Sequence, residues 1–285
     1  MLPILVKSHY AGIGSVFNST LLCIEKIINE NPGTYPVVLW DLKPYGEGNL
    51  FYKFFDIIGF NTDDTNIDQN FINTFTCMGF NNDNIDTRCK LHNIYTNHIK
   101  PKQIITDYVN NLFENITYDH LFGIHFRNTD RILVPQFASP GVDIVSKRML
   151  DVLNKYNNKK VAIYIASDNI PDVDYFKEFI KNNYSNYNNI IFVEDKNAAR
   201  SINTKDSVHG MDDNSNVDYY SPEQKILSIL CDIYSLAKCE LMVRTCSNVT
   251  CSSGIINKDS LILDVSLENN KFTESWLSYN KNYID

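Results

Sequence analysis

The chain has 285 residues, 44% of them hydrophobic, and a formal net charge of -8. That length supports two modest domains or one large α/β domain, and the acidic balance leaves no basic face for generic nucleic-acid binding. An anionic ligand must therefore be met by local Arg or Lys rather than by the overall field. The seven Cys are an odd number without a C-x-x-C pair, which points to a reduced, cytoplasmic protein rather than a disulfide scaffold or a structural zinc site. The first apolar run is too short for a signal peptide or anchor, and no later stretch could span a membrane.

In chain order, Ile4-Leu5-Val6 reads as a short buried strand and residues 7–14 as a loop containing Gly12 and Gly14. Helical periodicity follows in Phe17, Leu21, Ile24, Ile27 and Ile28, stopped by Asn31-Pro32-Gly33. A second strand at residues 37–40 makes this a βαβ start, and so a parallel sheet. Residues 51–58 suit a helix. Residues 61–90, rich in Asn and Asp, suit loops or short elements, and residues 103–115 suit a helix with Ile105, Tyr108, Val109, Leu112 and Phe113 on its apolar face.

From His120 the alternation is cleaner: strand 121–126, helix 141–156, strand 161–166, helix 173–181 and strand 190–193. A polar stretch at 203–221 precedes a long helix at 222–238. Strand 240–243, a polar turn and strand 261–264 complete the pattern. The fold class is α/β with parallel sheets, and the domain boundary falls near 115–120.

Four clusters carry the chemistry. Strand 121–126 runs into His125, Arg127 and Asp130, the way a buried strand ends when its tip opens onto a ligand crevice. An Arg there is always charged and its planar fork matches two phosphate oxygens; the competing reading is a strand-end ion pair with a buried His. Asp168 and Asn169 follow the next strand, where Asn169 could simply cap the helix that contains Pro171. Asp232 lies inside an otherwise apolar helix, and a buried carboxylate needs a partner, which a purine edge with two adjacent donors, as guanine has, would supply; otherwise Asp232 lies on the exposed face. Thr245, Ser247 and Asn248 follow the next strand, where hydroxyl and amide groups beside a helix N-terminus favour phosphate. Gly12-Ile13-Gly14 is a fragment of a dinucleotide fingerprint without its third Gly, and on its own reads as a tight turn. Asp172 and Asp174 suit a helix start better than a metal site, and the six His form no ligand pair.

Taken together, these clusters resemble the GDP-fucose-dependent fucosyltransferases of the α1,6 and protein O-fucosyl type. The H-x-R-x-x-D motif of that family is similar to His125-Phe126-Arg127-Asn128-Thr129-Asp130. Its A-T-D-D resembles Ala166-Ser167-Asp168-Asn169, and its L-D-I block with T-x-S-S resembles Leu230 to Asn248. Gly12 and Gly14 stand where the family has an N-terminal Gly-rich loop.

The resemblance implies a GT-B fold of two facing Rossmann-like domains with parallel sheets. Residues 1–118 would form the acceptor-side domain and residues 119–285 the nucleotide-sugar domain, with a last helix able to return to the first. It further implies an inverting, metal-independent transferase that uses no cofactor beyond GDP-fucose as donor and acts on a glycan or protein acceptor. Arg127 would contact the β-phosphate as the catalytic residue, with Arg131 assisting. His125 and Asp232 would read guanine. Ser247 and Asn248 would lie near the diphosphate, Gly12 and Gly14 would approach from the other domain, and Asp168 and Thr245 complete the donor-binding set.

The chain departs from the family at Asn128, where a second Arg is common, and at Val134-Pro135-Gln136, where a candidate base Glu is expected. The base is unassigned, with Asp143 an unsupported option. A transferase for another nucleotide sugar, or a non-catalytic nucleotide- or glycan-binding protein on the same fold, remain the alternatives.

Overall fold

A computed structural model describes residues 2–9, 11–42, 45–59, 71, 73–76, 85–127, 141–202, 220–245 and 247–265. The βαβ start forms as the periodicities require. Strand β1 (Leu2–Lys7) leads into helix α1 (Ile13–Glu30), and β2 (Thr34–Leu39) returns parallel to β1. Asn31 ends α1 by donating its N–H to Ile27 O, and Gly33 takes the positive φ of 83° that the turn into β2 requires.

Residues 51–58 are not one helix. A single turn, α2 (Phe51–Phe54), gives way to strand β3 (Phe55–Ile57). Phe55 and Ile57 both face inward at the period of two, and antiparallel pairing with a later strand outweighs local helix propensity. Next come β4 (Thr74–Thr76), which pairs parallel to β1, and α3 (Ile85–His98). Helix α3 begins inside the segment 61–90 read as loops or short elements and runs past its end. It buries only Arg88, Leu91 and Tyr95, a stripe too thin for periodicity to expose. Strand β5 (Ile99–Pro101), the partner of β3, and helix α4 (Gln103–Phe113) complete this half.

The second half follows its expected alternation: β6 (His120–Phe126), α5 (Val142–Lys155), β7 (Val161–Ser167), α6 (Ile170–Asn183), β8 (Ile190–Val193), α7 (Pro222–Ala237) and β9 (Leu241–Arg244). The polar turn expected after β9 is in large part a helix, α8 (Asn248–Ile256), before β10 (Leu261–Asp264). Hydroxyl residues at Thr250, Ser252 and Ser253 hide this helix from a hydropathy reading. Ser252 and Ser253 return their hydroxyls to the carbonyls four residues back, and Thr250 to the carbonyl of Ser247. The sheet order is β10-β9-β6-β7-β8, all parallel, beside the parallel sheet β2-β1-β4.

Period-two alternation divides the large sheet's faces. Phe122, Ile124 and Phe126 of β6 pack with Ile163 and Ile165 of β7 under α5 and α6. Leu121 of β6 and Ala162, Tyr164 and Ala166 of β7 pack with Leu236 of α7 on the other face. The opposite sides of α7 and α8 enter a different core: Ile226, Ile229, Ile233, Cys251 and Ile255 pack with Phe17, Trp40, Phe51 and Phe55 from the first half. Two helices are thus shared between the sheets, and they draw the C-terminal ends of β1 and β6 towards one cleft.

That approach is close enough to need glycine. A Cβ on Gly14 would lie 2.8 Å from the backbone carbon of Asn248 and 2.9 Å from Val249 N, whereas one on Gly12 would meet nothing within 4 Å. Gly14→Ala should therefore cost about 1–3 kcal/mol by forcing α1 and α8 apart, seen as a fall of several degrees in Tm. Gly12→Ala should cost under about 1 kcal/mol, the loss of a tolerable N-cap residue. Thermal melts of the two variants check this.

Candidate functional site

The cleft between the two sheets has a volume of about 260 Å³. Gly12, Gly14 and Ser15 line it from the start of α1, and His125 and Arg127 from the tip of β6. Asp168 follows β7, Asp232 projects from α7 and Asn248 opens α8. Seven of the residues singled out in the sequence, from five segments, therefore meet in one place. Thr245 and Ser247 lie just behind, buried and not on the cleft wall. Asn128, Asp130, Arg131 and residues 134–136 lie outside the described residues. Asp143, the optional base, is instead paired with Lys147 on the surface of α5.

The positive side of the cleft is built from backbone as much as from side chains. Gly12 stands at the N-cap of α1 and supplies no side-chain cap, so the first-turn N–H groups are left for a ligand. The N-terminus of α8 meets α1 at the Gly14 contact. There Asn18 donates to Asn248 O at 3.3 Å, and Ser252 Oγ donates to Asn18 Oδ1 at 2.8 Å. Ser247 caps α8 by accepting from Val249 N at 3.3 Å. Two helix N-termini plus the Arg127 guanidinium make a local anion site in a chain of net negative charge. Thr245 Oγ1, at the same strand end, is buried without a hydrogen-bond partner among the described residues.

The negative side centres on Asp232. Leu236, one turn further along α7, presses on Gly123 of β6, where a Cβ would lie 2.7 Å from Leu236 Cδ2. This tight crossing lays Asp232 over the strand tips. Its carboxylate accepts from Tyr164 Oη at 2.6 Å. Burial pushes the carboxyl up to about 7, against the opposing effects of the Arg200 guanidinium and the Tyr164 hydrogen bond; Asp195 and Asp168 push it up further. Asp232 is not fully closed off: its open side faces the cleft, where a donor would complete its hydrogen bonding.

The supports of Asp232 were not visible in the sequence. Arg200 is held by Ile165 O at 3.1 Å and paired with Glu194 at 3.5 Å, and Glu194 is in turn bridged to Lys177. Asp195 accepts from Tyr108 Oη of α4 through both oxygens at 3.0 Å and from Asn197 N at 2.9 Å. The one signal in the sequence was the demand itself, a carboxylate in an apolar helix. Tyr45, Ile13, Ile229 and Val249 also line the cleft, and nothing in their local sequence marks them.

Asn169 is a helix cap, as the simpler reading had it. It accepts from Asp172 N at 2.8 Å, with Pro171 in the first turn, and its amide donates to Asp172 at 2.9 Å. Asp172 is thereby committed to the helix start. Among the described residues there is no group of three or more His, Cys, Asp or Glu placed to hold a metal ion. None of their helices is long and apolar enough to cross a membrane.

No protein-family model matches the chain, and no curated protein matches it in sequence. Solved structures do match. The Bradyrhizobium NodZ alpha-1,6-fucosyltransferase, in crystals soaked with GDP-fucose, shares 16% identity at a TM-score of 0.56, over 94% of this chain and 97% of that one. POFUT1 in complex with GDP-fucose shares 11% identity at 0.53, over 92% and 97%. A mutant of Arabidopsis thaliana FUT1 in complex with GDP shares 11% at 0.54, over 93% and 70%. The chain has the GT-B fold of these fucosyltransferases, as its motifs led one to expect.

The raised carboxyl of Asp232 has a consequence for stability. Its folded pKa of about 7 exceeds the unfolded value near 3.9, so between those values the folded state holds the proton and the unfolded state does not. This group's contribution is therefore most favourable below about pH 4, declines as pH rises through 7 and is flat above. Asp232→Asn should raise Tm at pH 8 by a few degrees and by clearly less at pH 5, where the folded carboxyl keeps its proton; melts of the ligand-free protein across pH 5–8.5 check it.

Proposed function

We propose that the chain is an inverting, metal-independent fucosyltransferase that moves fucose from GDP-fucose to a glycan or protein acceptor. The observation that carries this reading is the pairing, in one cleft, of an anion site made by Arg127 and two helix N-termini with a half-buried carboxylate on α7, the helix shared between the two sheets. A nucleoside diphosphate whose base presents two adjacent donors satisfies both. Guanine does so through N1–H and N2–H2, which an ionised carboxylate can accept together. Uracil, with a single N–H on that edge, cannot.

In this assignment Asp232 and His125 read guanine, with Asp168 beside them on the same wall. Arg127 and Asn248 hold the diphosphate, with Thr245 and Ser247 behind the start of α8, and Gly12 and Gly14 approach the donor from the other half. The halves 1–118 and 119–285 act as acceptor side and donor side. As the bond from fucose C1 to the β-phosphate oxygen breaks, the electron pair stays with the phosphate and the sugar becomes oxocarbenium-like. Arg127 stabilises that growing negative charge more than it stabilises the bound donor, and this difference lowers the barrier. Fucose is uncharged, so the pocket beyond the diphosphate needs no further cation.

A bound nucleotide raises Tm the more tightly it binds, so GDP and GDP-fucose should stabilise the protein more than UDP or UDP-sugars. Equal shifts with UDP would overturn the guanine assignment. GDP binding should also weaken by about tenfold per pH unit below 7, as Asp232 becomes protonated and loses its acceptor capacity. Arg127→Ala should reduce turnover of GDP-fucose by about 10²–10³-fold, with a smaller loss of GDP affinity. Near-normal turnover in that variant would remove Arg127 from the mechanism.

A further inference from the structure

The fucosyltransferase reading leaves one role empty. An acceptor hydroxyl attacking C1 must lose its proton, and the expected carboxylate is absent from residues 134–136. Inversion places the attacking oxygen on the side of the sugar away from the leaving phosphate. In this reading the acceptor side is the half that carries the β1–α1 connection, so the proton acceptor belongs there. Asp168 and Asp232 are on Arg127's half, and Asp143 is on the outer surface of α5.

Among the described residues of the β1–α1 connection, one titratable side chain reaches a cleft residue. His9 stands two residues beyond the end of β1, and its Nε2 lies 3.1 Å from the Oγ of Ser15. Ser15, in the first turn of α1, lines the cleft. The chain returns through Ala11 and Gly12 so that His9 lies behind the Ser15 hydroxyl. His9 Nδ1 is buried and has no hydrogen-bond partner among the described residues.

We propose that Ser15 and His9 form the proton-accepting pair for the acceptor hydroxyl, with Ser15 Oγ meeting the acceptor and His9 Nε2 receiving the proton. The assignment rests on the fucosyltransferase reading. In the step, the acceptor oxygen forms its bond to C1 as the bond from C1 to the β-phosphate breaks and GDP leaves with the electron pair. The acceptor's proton passes to Ser15 Oγ while the hydrogen of Ser15 passes to His9 Nε2. The imidazolium so formed then releases its proton to solvent, and Ser15 is regenerated unchanged. Ser15 is the catalytic group that touches substrate; His9 is a positioning residue and proton store that acts through it.

The electrostatics fit this role. Burial holds the His9 imidazole below its ordinary 6.5, so at pH 7 it is neutral and able to accept. The charged groups on the same cleft are Arg127 after β6, Asp168 after β7 and Asp232 on α7. None of them contributes to the shift, so the ring answers to local burial alone.

The test uses the full chain with His9→Gln, His9→Asn and Ser15→Ala. GDP affinity is read from the rise in Tm, and kcat from GDP release by saturating GDP-fucose, with water or with a glycan found by the wild type on an array as acceptor. His9→Gln can still hydrogen-bond Ser15 but cannot carry the proton. It should bind GDP within about twofold of wild type while kcat falls by about 10²–10⁴-fold, the range of general-base effects. The wild-type kcat should fall on the acid side with a pKa under 6.5, and that limb should vanish in the variant. The limb is read in kcat because the guanine already engages Asp232 in the saturated complex, whereas kcat/KM also reports Asp232 in the free enzyme. Ser15→Ala should lower kcat and retain GDP binding.

If His9→Gln keeps kcat within about twofold, or keeps the acid limb, the assignment is overturned and the fucosyltransferase reading stands. If both His9 variants lose GDP binding, His9 is a support of the loop and the assignment is likewise overturned. A wild-type protein that neither binds GDP nor turns over GDP-fucose overturns the fucosyltransferase reading and this assignment with it.

Discussion

The backbone contact between the first turns of α1 and α8 is the constraint on which the cleft depends. Gly14 allows α1 to come within van der Waals distance of the Asn248–Val249 peptide, and Asn18 and Ser252 lock the two helices with side-chain hydrogen bonds. Any side chain at position 14 would separate them, and with them the two sheets whose strand ends they follow. The contact aligns two helix dipoles at one point, which isolated helices would resist by mutual repulsion of like ends. Burial of the shared core of α1, α3, α7 and α8 opposes that repulsion. A bound anion would relieve it, which is a physical reason for an anion to bind there.

The opposite end of the cleft carries a second electrostatic cost. A half-buried carboxylate raised to about 7 is unfavourable in the empty protein, and the surrounding network limits that cost without removing it. Tyr164, Arg200, Asp195 and Tyr108 tie β7, the segment after β8 and helix α4 around α7. Behind α8 the ion pair of Arg244 and Asp264, at 2.8 Å and almost fully buried, couples β9 to β10, while Arg244 also donates to Thr250 at 3.2 Å. Such a pair adds little net stability against an apolar alternative but fixes relative position, because breaking it strands a charge. The fully paired charges thus lie behind the cleft, and the costly carboxylate of Asp232 faces it.

Much of this was legible in the chain. The βαβ start and the alternation after His120 follow from periodicity, since β6 and β7 are buried on both faces and helices such as α5 and α6 present one apolar stripe. The cleft residues His125, Arg127, Asp168 and Asn248 were legible for a different reason, as polar side chains at the ends of apolar runs, and Asp232 as a carboxylate inside an apolar helix. Helix α3 was missed because three buried residues make no stripe, and β3 because its reason for being extended is a partner more than forty residues away. Arg200, Tyr45 and His9 were missed because their neighbours in sequence are ordinary and their neighbours in space are not.

The sequence by itself determined the βαβ start, the alternation after His120 and the chemistry available at their strand ends, because these depend on interactions within a few residues. Tertiary structure decided which of those groups share a cleft. Among Thr245, Ser247 and Asn248, only Asn248 reaches the wall, since the turn into α8 commits Ser247 to capping and buries Thr245 behind it. The choice between an exposed and a half-buried Asp232 was settled by Gly123, which lets α7 sit close enough for Tyr164 to reach the carboxylate. These outcomes turn on contacts between residues tens to hundreds of positions apart, and no local pattern encodes the distance at which two helices come to rest.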